Sequence, residues 1–175
     1  RLQEVNVKGT FLAAQAALRA MAPRGRGAIV TLGSIAGQVG GLQSGAGYAT
    51  SKAAVLGLTK ALARHAGPSG VRVNCVSPGY IEAGMSLGMA PEDRERTIGA
   101  TPLRRAGTAA EVAAAVVWLA SDAAGFVTGA HLVMVVVGMV FVAVMGFQSL
   151  GGQLTGRDAE GMSAAALYWY VTVLV

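Results

Sequence analysis

Residues 27–79 read GAIVTLGSIAGQVGGLQSGAGYATSKAAVLGLTKALARHAGPSGVRVNCVSPG, and the spacing inside this stretch decides the fold. Ala28 to Leu32 is a short apolar run of strand length set between glycines, which suits a strand buried on both faces. Gly33 to Gly47 is rich in glycine and predicts a loop. From Tyr48 to His65 apolar residues recur at helical spacing through Ala53, Leu56, Leu58 and Leu62, and Gly67 with Pro68 ends the pattern. Val71 to Val76 is a second strand, closed by Pro78 and Gly79.

Working outward, Val5 to Met21 has Val7, Phe11, Ala14 and Leu18 at spacings of three and four, with Pro23 and Gly25 as the stop. On the other side, Glu82 to Ala100 is polar, and Pro91 marks a helix start in what reads as a flap. Thr108 has the place of an N-cap, Glu111 completes a capping box, and the helix they open runs to about Ala120. Helices alternating with strands predict an α/β fold, a partial Rossmann-like parallel sheet with flanking helices. Apolar, helical sequence follows at the carboxyl end.

The chain has 175 residues and is 53% hydrophobic, enough for one domain with a real core. All but one of its fourteen basic residues and all but two of its nine acidic ones precede Gly156. The net charge of +5 comes from scattered Arg and Lys with no interleaved aromatic residues, which argues against nucleic acid as a partner. Cys75 is the only cysteine, so no internal disulfide forms, and a reducing, cytoplasmic setting suits the first part of the chain. No signal peptide opens the sequence, and the start at Arg1 reads as a truncated front.

Tyr48 and Lys52 are four apart on one helix, so their side chains emerge on one face a turn apart. A phenol titrates near ~10 in water, and a fixed ammonium beside it favours the phenolate, which suits proton exchange with a carbonyl oxygen. Ser34, directly after a strand, can offer its hydroxyl to the same oxygen. In an open parallel sheet Ser34, Tyr48 and the Ser77-Pro78-Gly79 corner all fall at the carboxyl edge, where ligands bind.

GAIVTLGSIAG, YATSKAAVLGLTKALA, VRVNCVSPGYIEAGM and TPLRRAGTAAEVAAAVVWLASDAAGFVTGAHL, in that order, resemble the second half of a classical short-chain dehydrogenase/reductase, over about residues 1–133. The wording is similar to that of ketoacyl reductase and sugar or alcohol dehydrogenase subgroups. The resemblance implies a NAD- or NADP-dependent oxidoreductase that interconverts a small-molecule carbonyl and a secondary alcohol. It makes Tyr48 the general acid and base and a contact of the cofactor, and Lys52 its partner and a ligand of the nicotinamide ribose. Ser34 would orient the carbonyl, and Asn6 would hold a water in the proton relay; as a residue read alone, Asn6 suits a helix N-cap. Pro78, Gly79 and Ile81 would place the nicotinamide, although Ala83 stands where the family often has threonine. The resemblance also implies a homo-oligomer, paired through the helices of Val5 to Met21 and Tyr48 to His65.

The family's TGxxxGxG turn, which brings backbone amides to the pyrophosphate at a helix N-terminus, is expected upstream of Arg1. Without that half, the strands from Ala28 and Val71 would lack their inner neighbours, and the fragment alone is expected to be inactive. At the other end, Leu132 to Leu150 is almost wholly apolar, and nineteen residues at about 1.5 Å each approach the ~30 Å hydrocarbon thickness. Residues 127–175 resemble the last two membrane helices of cytochrome c oxidase subunit III, with Met134 and Tyr170 where that family has histidine. Three expectations follow for the tail after residue 133: a membrane segment of such a subunit, a chimeric join near His131 giving a product without function, or a last strand over Ala130 to Val137 and an apolar helix. His131 lacks companions at ligand spacing, so no metal is expected there.

Overall fold

Three parallel strands, β1 (Gly27–Leu32), β2 (Val71–Pro78) and β3 (His131–Met134), lie side by side in the order β1-β2-β3. The structure, a computed structural model, describes residues 1–41 and 44–134, all within one unit, Arg1–Val135. The helices are α1 (Thr10–Met21), α2 (Ala36–Val39), α3 (Ala46–Ala66), α4 (Pro91–Ala100) and α5 (Ala109–Ala120). Parallel neighbours need a crossover, and α3 supplies it between β1 and β2, while α4 and α5 lie between β2 and β3. The expected parallel α/β sheet is therefore present.

The strand from Val71 does not lack a neighbour as expected: β2 is the centre of the sheet, paired with β1 on one side and with β3 on the other, and its side chains alternate between two environments. Val71 and Val73 meet Ala14 of α1 and Leu62, Ala63 and Ala66 of α3, while Cys75 packs with Val55 and Leu56. Each fully buried valine in this set stabilises the fold by about 1.5–3 kcal/mol. On the opposite face Arg72 donates to the carbonyls of Leu119 (2.7 Å) and Ser121 (2.9 Å). Those carbonyls close α5, where the helix ladder runs out of N–H donors, so the guanidinium serves as a C-terminal cap. Asn74, also buried, donates to Val127 O (2.7 Å) and accepts from Ala130 N (3.0 Å), which holds the turn leading into β3.

β1 is not buried on both faces as its composition suggests. Only Thr31 is buried; Leu32 is 52% exposed and the rest are half-buried. The reason is its place at the edge of the sheet, where one side has no strand among the described residues. Gly33 N donates to Val76 O at 2.8 Å, so its peptide group points the trans-related carbonyl of Leu32 away from β2.

Two other expectations shift. The glycine-rich loop contains α2, a short helical turn made possible by close contact: a Cβ on Gly37 would lie 2.6 Å from the backbone nitrogen of Ala53. The first helix begins as a π-helical turn, Glu4–Gly9, before α1. Asn6 therefore sits within wound backbone, and Gln3 ahead of it is already helical, so Asn6 is not an N-cap. The capping box holds as expected: Thr108 Oγ1 accepts from Glu111 N, and the Glu111 carboxylate accepts from Thr108 N at 2.8 Å. Hydrogen bonding from Arg105, then from the Thr108 amide, holds the Glu111 carboxyl at about 2.

At the carboxyl end Leu132, Val133 and Met134 pair with Val76, Ser77 and Pro78 in β3. The membrane span expected from Leu132 is thus a strand at its start, because these residues complete a parallel ladder. The membrane helix that the resemblance from residue 127 implies is not found over 127–134, where a turn (127–130) leads into β3, and residues 135–175 lie outside the described residues. Among the described residues no helix is long and apolar enough to cross a membrane.

His131 is buried beside Cys75, and its Nε2 lies 3.1 Å from Leu56 O. Burial pushes its pKa down, Lys60 adds to this, and the Leu56 carbonyl opposes both. A lowered folded value means that the unfolded chain takes up the proton first, so stability present above about pH 6.5 drains away as pH falls. Denaturant unfolding at about pH 7.5 and about pH 5.5 should show this loss. Part of the difference should vanish in His131→Gln, and an unchanged slope in that variant would remove His131 as the cause.

Candidate active site

The first turns of α3 carry Tyr48 and Lys52 at the carboxyl edge of the sheet. Lys52 Nζ lies 5.8 Å from the centroid of the Tyr48 ring, so the two side chains do share a face as their spacing predicts. The ammonium is anchored by donating to Leu32 O at 2.8 Å, the edge carbonyl that β2 leaves unclaimed. Burial pushes the Lys52 pKa down, and the Cys75 sulfur acts in the opposite direction. A desolvated ammonium with two further N–H donors is a strong local field for an anionic oxygen or a pair of hydroxyls.

Ser34 follows β1, and its Oγ accepts from Ala36 N at 3.2 Å, starting α2. The next residue ties this corner to β2: Ile35 N donates to Pro78 O at 3.0 Å. Gly33 makes the approach possible, since a Cβ there would lie 2.6 Å from Ser77 Oγ and 2.9 Å from Cys75 Sγ. The loop after β2 is held at its far end as well. Ile81 bridges Gly107, Gly107 N donates to Tyr80 O (2.9 Å), and Glu82 N donates to Gly107 O (3.0 Å). Pro78, Gly79 and Ile81 thus occupy a short loop pinned on both sides.

Asn6 reaches the same neighbourhood through Ser51, a residue that no motif in the sequence singles out. Its Nδ2 donates to Ser51 Oγ at 2.9 Å, and that hydroxyl donates to Tyr48 O at 2.7 Å. Thr10 Oγ1 donates to Asn6 O at 2.6 Å. Asn6 is therefore joined to the Tyr48 turn, and Ser34 to the Pro78 loop. Among the described residues no hydrogen bond directly links Ser34 Oγ, the Tyr48 hydroxyl and Lys52 Nζ. Groups that converge on a third atom need not touch one another. The signal that could have found Ser51 is its position: a serine inside an apolar helix, next to a lysine, must satisfy its hydroxyl locally.

Comparison with known proteins gives the geometry a family. The family described as enoyl-(acyl carrier protein) reductase matches residues 1–136. Galactitol 2-dehydrogenase (L-tagatose-forming) of Cereibacter sphaeroides is 47% identical over 135 residues, which cover 75% of this chain and 53% of that protein. The (3R)-3-hydroxyacyl-CoA dehydrogenase of Rattus norvegicus is 42% identical over 133 residues, covering 75% and 51%. In the crystal structure of 3-oxoacyl-acyl-carrier-protein reductase from Brucella melitensis the matched part has a TM-score of 0.71 at 39% identity, over 74% of this chain and 48% of that one. The chain spans about half the length of the curated relatives it matches. With its sheet and most of its described length shared at these identities, the chain belongs to the short-chain dehydrogenase/reductase family of oxidoreductases.

Proposed function

We propose that this segment carries the proton-transfer centre of a NAD- or NADP-dependent enzyme that interconverts a carbonyl and a secondary alcohol. One observation carries the reading. A half-buried ammonium, Lys52, is fixed by Leu32 O beside the ring of Tyr48 at the ligand-binding edge of a parallel sheet. In reduction the Tyr48 phenol gives its proton to the carbonyl oxygen as that oxygen gains charge. Lys52 then stabilises the negative charge left on the phenol oxygen, and the reverse flow serves oxidation. Ser34 donates its hydroxyl to the same substrate oxygen and orients it, while its own oxygen is held by Ala36 N. Asn6 belongs to the path that returns a proton to Tyr48, with its backbone in the π-helical turn next to the Tyr48 turn. π-Helical turns within helices cluster at such sites.

The residues present suit the nicotinamide end of the cofactor. The two unspent donors of Lys52 match a ribose diol, and the doubly pinned Pro78-Gly79-Ile81 loop offers fixed backbone for a carboxamide. When bound, a nicotinamide nucleotide supplies the hydride for reduction or takes it in oxidation. The related proteins are named for a polyol, a hydroxyacyl thioester and an oxoacyl thioester, all of which exchange a hydroxyl for a carbonyl. Small ketones and oxoacyl thioesters are therefore the substrates to try. Nicotinamide absorbance, followed with a panel of these in a protein that includes this segment and a nucleotide-binding half, tests the reading. Turnover with any of them supports it; cofactor binding with no turnover across the panel counts against it.

A further inference from the structure

Ser51 is fully buried between Tyr48 and Lys52 in sequence, and the reaction proposed above makes no use of its hydroxyl. That oxygen is engaged twice, as acceptor from Asn6 Nδ2 (2.9 Å) and as donor to Tyr48 O (2.7 Å). The chain of bonds runs from the π-helical turn, through one hydroxyl, into the backbone of the residue that bears the phenol. On its far side the Asn6 carbonyl is met by Thr10 Oγ1.

We propose that Ser51 is a positioning residue of the reaction centre: it clamps Asn6 to the first turn of α3, and so sets the separation between the Asn6 backbone and Tyr48. The proposal rests on reading Tyr48 as the proton-transfer group. A hydroxyl is suited to this because its one proton is committed to the Tyr48 carbonyl while a lone pair stays free for the Asn6 amide. The π-helical turn is a local departure from the α-helical ladder, so a side-chain tether carries much of its placement. A packing role makes a different forecast. Alanine is as small as serine and a better helix former, so Ser51→Ala would then be neutral or mildly stabilising.

The test uses Ser51→Ala, Asn6→Ala and the double variant in an active enzyme containing this segment. Displacements near 1 Å cost up to about a hundredfold in rate, so each single variant should lose about ten- to a hundredfold in kcat. KM should move by less than about twofold, and the pH profile of kcat should shift. The double variant should be no slower than the slower single one, because both remove one bond. Wild-type turnover in Ser51→Ala, or losses that multiply in the double variant, would overturn the proposal. Should Ser51→Ala fail to fold, Asn6→Ala removes the same bond from a half-buried residue and is judged by the same kcat, KM and pH criteria. A second measurement needs no turnover. In the full chain, the Asn6 side-chain amide, assigned by its loss in Asn6→Ala, should exchange slowly with solvent and become fast in Ser51→Ala. Equal exchange in both would refute the clamp. Full activity in Tyr48→Phe would instead sink the reading of the centre and leave the amide result standing.

Discussion

Replacing Tyr48 with phenylalanine, in an active enzyme that contains this segment, is expected to cut kcat by about 10²–10⁴-fold, the usual worth of a positioned acid or base. The substitution removes one oxygen and leaves the ring whose centroid lies 5.8 Å from Lys52 Nζ. Lys52 keeps its bond to Leu32 O, and the Pro78 loop keeps its bonds to Ile35 and Gly107. Cofactor affinity should therefore change by less than about threefold, so that the loss falls on kcat and not on binding. Steady-state kinetics together with a direct titration of the nucleotide separate the two quantities. A variant that turns over as the parent does would take the proton from somewhere other than this phenol.

Replacing Asn74 with alanine should cost about 2–5 kcal/mol of folding stability, the largest structural effect expected from one residue here. Asn74 is 1% exposed in the middle of β2, and its amide bonds both Val127 O and Ala130 N. Alanine leaves the half-buried Ala130 N–H and Val127 carbonyl without that partner, and unsatisfied groups inside a protein cost about 1–3 kcal/mol each. Arg72 Nη1 approaches Val127 O only at 3.4 Å, so its compensation is small. The damage should extend to β3, since the turn of Val127 to Ala130 delivers His131 to its place opposite Cys75. Urea unfolding of parent and variant measures the difference. A loss below about 1 kcal/mol would mean that the clasp contributes little or that the turn finds another partner.

Much of this architecture can be read from residue order because it follows from local rules. The helix through Leu56 and Leu62, the valine-rich strand after Gly70 and the capping box of Thr108 and Glu111 each depend on spacing, and each is present. Tyr48 and Lys52 share a face for the same reason. What was not legible depends on contacts between distant segments. The π-helical turn at Asn6 is bound to Ser51, 45 residues away, and no pattern within residues 4–9 announces it. The exposure of Leu32 reflects a strand's place at the sheet edge, which composition does not encode. Asn74 did leave a trace. A lone amide within VRVNCV is either outside the core or fully bonded inside it, and it is bonded.

Cys75, the chain's only thiol, has no exposed surface, being enclosed by Val55, Leu56 and the neighbouring strands. A maleimide or disulfide reagent can reach that sulfur only during moments when the sheet and α3 part. The protein thus comes with a built-in stopwatch for its own breathing, and the rate of thiol labelling counts how often its centre opens, with no engineered probe.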